Sequence, residues 1–190
     1  MKYIKITALV LVVLFGLFYF FGMPYLREKT KKISPEKVAS YTFKGAELTV
    51  TYSAPFKKDR EIFGALVPYG EVWRTGANEP TTFTTSKTVQ VIDKELPPGT
   101  YSLWTVPNKD SWQVIFNTEV PDWGVTLISG GKDTTRDPAK DLVTVQVPTT
   151  RLDQPVDQFS ITFGQEEQFY LSMAWDTTKI NVPISISPNE

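Results

Sequence analysis

The chain has 190 residues, a formal net charge of -1 at pH 7, and neither Cys nor His. The lack of Cys excludes disulfides, thiolate nucleophiles and Cys-ligated metals. The lack of His excludes a Ser-His-Asp triad and His-ligated zinc or iron. The balanced charge, without a basic stripe, predicts no nucleic-acid partner. We expect no cofactor, although carboxylates leave a Ca²⁺ or Mg²⁺ site open.

The first element is an uncharged segment from Ile6 to Leu26, ITALVLVVLFGLFYFFGMPYL, which follows a short flank of residues 1–5. A helix of this length spans about 30 Å, the thickness of the hydrocarbon core of a bilayer. Aromatic residues crowd the C-terminal end of the segment, where such rings favour the membrane interface. We therefore predict a transmembrane helix over 6–26 that has the lipid bilayer as its partner, and then a polar spacer over 27–37.

A cleaved secretory signal is the alternative interpretation of this segment. Signals usually have an apolar region of about 7–15 residues that ends in small residues. Here the segment is longer, and no Ala stands between Ala8 and Ala39. The pattern therefore favours an uncleaved anchor. The Lys and Arg residues that flank the helix slightly favour a cytoplasmic position for the C-terminal side.

Residues 38–190 are predicted to form one all-β domain, because hydrophobic and polar residues alternate with a period of two. Turn signals such as Lys44-Gly45 and Pro97-Pro98-Gly99 separate the segments. Nine or ten short strands of this kind typically pack as an antiparallel β-sandwich or jelly roll. The predicted strands are 41–43, 47–52, 81–85, 88–92, 100–106, 112–117, 142–147, 159–163, 169–175 and 179–186. The polar loop 130–140 is expected to be exposed.

Residues 52–82 break this alternation. Long irregular segments inside a compact β domain are often functional. The charged, aromatic and amide side chains of this segment are therefore the candidate ligand-binding residues. They are Arg60, Tyr69, Glu71, Trp73, Arg74, Asn78 and Glu79.

Each candidate also has a structural interpretation. Trp73 and Arg74 fit a ligand platform, in which the arginine grips a carboxylate or phosphate. The interpretation that we favour is a buried tryptophan beside an arginine that is paired with Glu71 or Glu79, because such pairs in long loops are commonly structural. Arg60 is expected to close a loop at the surface. The two glutamates could form the carboxylate pair of a glycoside hydrolase, but loop spacing does not define the distance that this reaction needs.

Several strings in the chain resemble domain-of-unknown-function family 2911, a bacterial family of mostly exported proteins. They are YSAP (52–55), REIFGALVPYGEVWRTGANE (60–79), LPPGTYSLWTVP (96–107), residues 112–117, Asp122-Trp123-Gly124 and LSMAWDTTKINVPI (171–184). The resemblance implies a compact β-rich domain outside the cytoplasm, without an established activity. It therefore favours a single-pass protein of the cytoplasmic membrane with its β domain on the extracytoplasmic side, against the slight charge bias.

The leading functional hypothesis is a membrane-anchored binding or structural module of the cell envelope, with a glycan or a peptide as its ligand. The poverty of catalytic residue types favours a protein that is not an enzyme. Two alternatives stay open. One is a His-independent glycan hydrolase that uses Glu71 and Glu79, and the other is an interaction partner of another membrane protein.

Overall fold

A computed structural model describes residues 2–126 and 129–186. The protein divides into two compact units, one ending at Ile33 and the other beginning at Ser34. The first unit consists of helix α1 (Lys2–Leu17), a π-helical turn (Phe18–Gly22) and helix α2 (Met23–Ile33). The stretch Tyr3–Ile33 is long and apolar enough to cross a membrane. The helix thus continues through most of the segment 27–37, which the sequence predicts as a spacer.

The second unit is mainly antiparallel β-sheet, which confirms the predicted class of fold. In the described part of the chain its strands are β1 (Glu36–Phe43), β2 (Ala46–Ser53), β3 (Thr81–Thr85), β4 (Val89–Val91), β5 (Lys94–Leu96), β6 (Gly99–Val106), β7 (Ser111–Asn117), β8 (Asp141–Gln165) and β9 (Phe169–Ile186). Neighbours are hydrogen-bonded in the order β1-β2-β3-β6-β7-β8-β9-β4-β5.

The turn between β1 and β2 has the chemistry that the sequence predicts. Lys44 and Gly45 have φ values of 48° and 79°, and Phe43 pairs with Ala46 across them. Two successive residues with positive φ form the two-residue hairpin turn that matches the twist of antiparallel strands. This turn sets the register of the first hairpin.

The last two strands are longer than predicted. The sequence predicts separate strands at 142–147 and 159–163, but β8 runs through both. Its first part pairs with β7 as far as Pro148, and its second part pairs with β9 from Thr149 onward, with register shifts between Arg151 and Ser160. The polar residues between the two parts resemble a loop in sequence, yet pairing of residues 149–151 and Val156 with β9 and a bridge from Gln158 to Phe56 hold the stretch extended. Strand context therefore overrides local propensity here.

The sheet curls so that its first strands face its last ones. The ring of Phe43 in β1 stacks on Phe169 in β9 at a centroid distance of 4.1 Å. The hydroxyl of Tyr52 in β2 donates to the carbonyl of Ile161 in β8 at 3.3 Å. Strands that are distant in the hydrogen-bonded order thus lie face to face, as in a sandwich.

An aromatic cluster occupies one part of the core between these layers. Trp73 stacks on Trp175 at 6.0 Å with an interplanar angle of 14°. Phe63 contacts both of these rings and Trp112 edge-on, and Phe159 packs against Trp73. Aromatic pairs in such geometries add stability beyond the area that they bury. The cluster joins the irregular segment to β7, β8 and β9.

Replacing Trp175 by alanine tests this core. The side chain is 1% exposed, so Trp175→Ala leaves a cavity in the cluster and should lower the free energy of unfolding by about 3–5 kcal/mol. Guanidinium titration followed by near-ultraviolet circular dichroism measures the loss. Val38→Ala is the control, because Val38 is 61% exposed. A loss for Trp175→Ala no larger than that of the control would contradict the assigned core.

Candidate functional site

Trp73 belongs to the core. Its side chain is 7% exposed, and its indole Nε1 donates to the carbonyl of Gly76 at 3.0 Å. Its backbone exchanges hydrogen bonds with Thr105 of β6, at 2.7 Å and 2.9 Å. This pairing turns the ring into the aromatic cluster. The structure therefore supports the buried interpretation of Trp73 and not that of an exposed ligand platform.

The loop after Trp73 has an unusual backbone. Thr75, Gly76 and Asn78 have φ values of 56°, 149° and 58°. A β-branched residue in the left-handed region is costly, by about 1–2 kcal/mol. The buried hydroxyl of Thr81 donates to the Thr75 carbonyl at 2.6 Å and helps to hold the loop. Local strain that the surrounding structure maintains is commonly found at functional sites.

Arg74 lies at the start of this loop, with a half-buried side chain. Its Nε is buried and has no hydrogen-bond partner among residues 2–126 and 129–186. Burial lowers the pKa of the guanidinium below its usual value. The Nε of Arg74 therefore takes no part in the predicted pairing with Glu71 or Glu79. A buried guanidinium nitrogen in this state has lost its hydration without a hydrogen bond in return.

Gly124 joins this loop to a second segment. Its N–H donates to the carbonyl of Asn78 at 3.1 Å. A Cβ at this position would overlap the Cδ of Arg74, so the close approach requires glycine. The alkyl stem of Arg74 is thus held against the backbone of Gly124.

The two segments form the walls of an open cleft of about 700 Å³. One wall consists of residues 66–68 and 71–74, and the other consists of Val125 and residues 131–134. Val125 forms a β-bridge with Thr134, and the hydroxyl of Ser129 accepts from the N–H of Asp133 at 2.9 Å. These contacts hold Val125 beside Thr134 and shape residues 129–134 in the second wall.

The structure brings three of the seven sequence candidates to this cleft. Its lining includes Glu71, Trp73 and Arg74. The other four lie outside the lining within the described part of the chain. They are Arg60, Tyr69, Asn78 and Glu79.

These four residues have other positions. Arg60 donates through its Nε to the carbonyl of Lys57 at 3.1 Å and through a terminal nitrogen to Phe56, so it closes a loop as predicted. The Tyr69 ring lies over Gly64, where a Cβ would come within 2.9 Å. Asn78 is buried and Glu79 is half-buried.

Sequence reasoning missed the second wall. It predicted an exposed polar loop at 130–140 without a link to the irregular segment. Lys132 and Asp133 of this loop line the cleft opposite Arg74. The sequence feature that comes closest to indicating this wall is the string Asp122-Trp123-Gly124. It is part of the family resemblance, and its glycine contacts Arg74. Across the described residues no group of three or more acidic side chains could hold a metal ion.

The fold and cleft define a β domain that has a half-buried arginine at an open cleft, in a chain that also has an apolar N-terminal helix. The chain belongs to the family described as protein of unknown function (DUF2911), whose model matches residues 34–184. The match covers both walls of the cleft, and it confirms the resemblance seen in the sequence. Comparison with curated proteins and with solved structures gives no match.

Two glycines of the irregular segment offer a matched test of the loop. Gly76→Ala places a Cβ 2.7 Å from the carbonyl oxygen of Ser53 at a φ of 149°, so it should lower the free energy of unfolding by about 3 kcal/mol or more. Gly70→Ala has only the strain of a positive φ, because nothing lies within 4 Å, and should cost about 1 kcal/mol. Thermal unfolding measures both. Equal losses would contradict the close approach of the loop to Ser53.

Proposed function

We propose that the protein is a membrane-anchored binding module of the cell envelope, which takes an anionic group of its ligand at Arg74. The observation that carries the proposal is the half-buried guanidinium at the cleft, whose Nε has no partner in the described ranges. Removing a charge from water without a partner costs several kcal/mol. A ligand carboxylate or phosphate in the cleft would compensate this cost through charge-assisted hydrogen bonds to the guanidinium.

The surroundings of Arg74 support binding over a purely structural role. A structural arginine is normally held by an internal carboxylate, as Arg136 is by Asp141 through two hydrogen bonds. Arg74 is held instead by contact of its stem with Gly124, which leaves the guanidinium available. The strained loop at Thr75 and Asn78 positions the group in advance, which reduces the entropy that binding must overcome.

The glycan hydrolase alternative has no comparable support. That reaction needs two carboxyl groups that flank the scissile bond. Glu71 lines the cleft, whereas Glu79 lies outside its lining among the described residues. We therefore favour binding without catalysis.

The N-terminal helix supports a membrane anchor. Within the apolar part of Tyr3–Ile33 none of the described side chains is buried, and such a helix is stable only when another apolar phase covers it. A signal sequence has similar composition, so length favours the anchor. The extracytoplasmic position of the β domain follows from the exported character that the family resemblance implies.

Replacing Arg74 by methionine separates a binding role from a structural one. Arg74→Met removes an unpaired charge and keeps the apolar stem, so it should raise the free energy of unfolding by about 1 kcal/mol.

In the wild-type chain in lipid nanodiscs, the Arg74 Nε–H resonance should shift saturably with acetate or inorganic phosphate at constant ionic strength.

Arg151→Met is the control for that variant, because Arg151 is an exposed arginine on β8 and its loss should change stability by less than about 0.5 kcal/mol. Destabilisation by Arg74→Met, or the absence of any saturable shift with both anions, would refute the binding role.

The anchor makes a separate prediction. In a bacterium with two membranes, the full chain with a C-terminal tag should stay in the membrane fraction after an alkaline wash, and its intact mass should include residues 1–33. An alkaline phosphatase fusion at the C-terminus should be active, because that enzyme matures outside the cytoplasm. A soluble mature chain that begins near residue 25–35 would contradict the anchor, and an inactive fusion would contradict the orientation.

A further inference from the structure

The charges around the cleft are balanced. Among the described residues of the lining, Arg74 and Lys132 are cationic and Glu71 and Asp133 are anionic, so their charges sum to zero. Glu71, Lys132 and Asp133 are exposed, whereas Arg74 is half-buried. Sites for phosphate groups or polyanions instead gather several Arg and Lys residues. The cleft therefore differs in its charge from a polyanion site.

The remaining lining is largely aliphatic. One wall contributes Leu66, Val67, Pro68 and Val72, and the other contributes Val125. Leu66 is 46% exposed, which is unfavourable unless another apolar group covers it. An apolar substituent beside the anionic group of a ligand would bury this surface. Pockets for small ligands typically combine such apolar walls with a few polar groups that set the orientation.

We infer that the cleft binds a monocarboxylate that carries an apolar substituent, and that Glu71 and Asp133 exclude ligands with two or more negative charges. This inference rests on the proposed function and names its ligand class. The carboxylate pairs with Arg74, and the substituent packs on the aliphatic walls. The C-terminus of a peptide and a free aliphatic acid share this chemistry. Only the peptide has an amide N–H near the carboxylate, and this N–H can donate a hydrogen bond to Glu71 or Asp133.

Exclusion by charge gives the two carboxylates a role in specificity. Each repels the second negative charge of a dianion such as phosphate, and it does so more strongly near a low-dielectric surface than in water. A monoanion instead brings only the charge that Arg74 neutralises. Glu71 and Asp133 therefore determine the specificity of the cleft for monoanions over dianions.

Four small probes test the ligand class on the full chain in lipid nanodiscs, with the Arg74 Nε–H resonance as the readout. N-acetylleucine should bind with a Kd at least about tenfold lower than that of acetate, because its side chain buries apolar surface. Inorganic phosphate should bind as weakly as acetate. N-acetylleucinamide, which lacks only the carboxylate, should cause no saturable shift. 4-Methylpentanoate, which lacks the amide, separates the two sources: weaker binding than N-acetylleucine indicates a peptide C-terminus, and equal binding indicates a free acid.

The outcomes separate this inference from the proposed function. If inorganic phosphate binds at Arg74 as tightly as N-acetylleucine, the ligand class is wrong and the anion site stands. If the amide probe binds as well as its acid, the ligand class is wrong, and the anion site then stands only if acetate or inorganic phosphate shifts the Arg74 resonance saturably. If none of the anions shifts the Arg74 resonance, both are wrong.

A double variant tests the exclusion directly. Glu71→Gln with Asp133→Asn removes both negative charges and should lower the Kd for inorganic phosphate about three- to tenfold. Binding of N-acetylleucine should change less than binding of phosphate. Asp153→Asn is the matched control, because Asp153 is an exposed carboxylate on β8 outside the cleft lining. An unchanged Kd for phosphate in a double variant that keeps the wild-type unfolding temperature would overturn the exclusion.

Discussion

The candidate site depends on one backbone contact, the exchange of hydrogen bonds between Trp73 and Thr105 at 2.7 Å and 2.9 Å. This pair attaches the irregular segment to β6 and places the indole ring in the aromatic core. Since neighbouring residues of an extended chain point to opposite sides, the next residue, Arg74, is turned toward the cleft. A contact in the core thus positions Arg74, although the partial burial of its guanidinium is itself unfavourable.

The stability of the domain and the chemistry of its cleft come from different residues. The stacked rings of Trp73 and Trp175 and the strands around them supply buried apolar area. The left-handed Thr75 and the buried Nε of Arg74, which has no partner among the described residues, both oppose folding. Proteins often retain such local costs where function needs them. This separation between stabilising residues and costly cleft residues is the physical reason for our proposal that the cleft binds a ligand.

Much of the fold could be predicted from short stretches of sequence. Period-two alternation identified the class of the domain, and Lys44-Gly45 identified a hairpin that the structure confirms. The continuity of β8 through its polar middle could not be predicted, because it depends on partners distant in sequence, which are strand β9 and Phe56. For the site, sequence identified Glu71, Trp73 and Arg74 within a longer set, but it did not connect them with residues 131–134.

The sequence by itself determined what is encoded within a few neighbouring residues: the apolar helix, the alternation of the strands, the turns, and the absence of Cys and His chemistry. Only the tertiary structure decided which side of the chain Trp73 faces and that Gly124 lies against Arg74. The physical reason is that burial and electrostatic pairing depend on residues that are distant in sequence. The difference between an arginine whose Nε is paired and one whose Nε is buried without a partner is of this second kind.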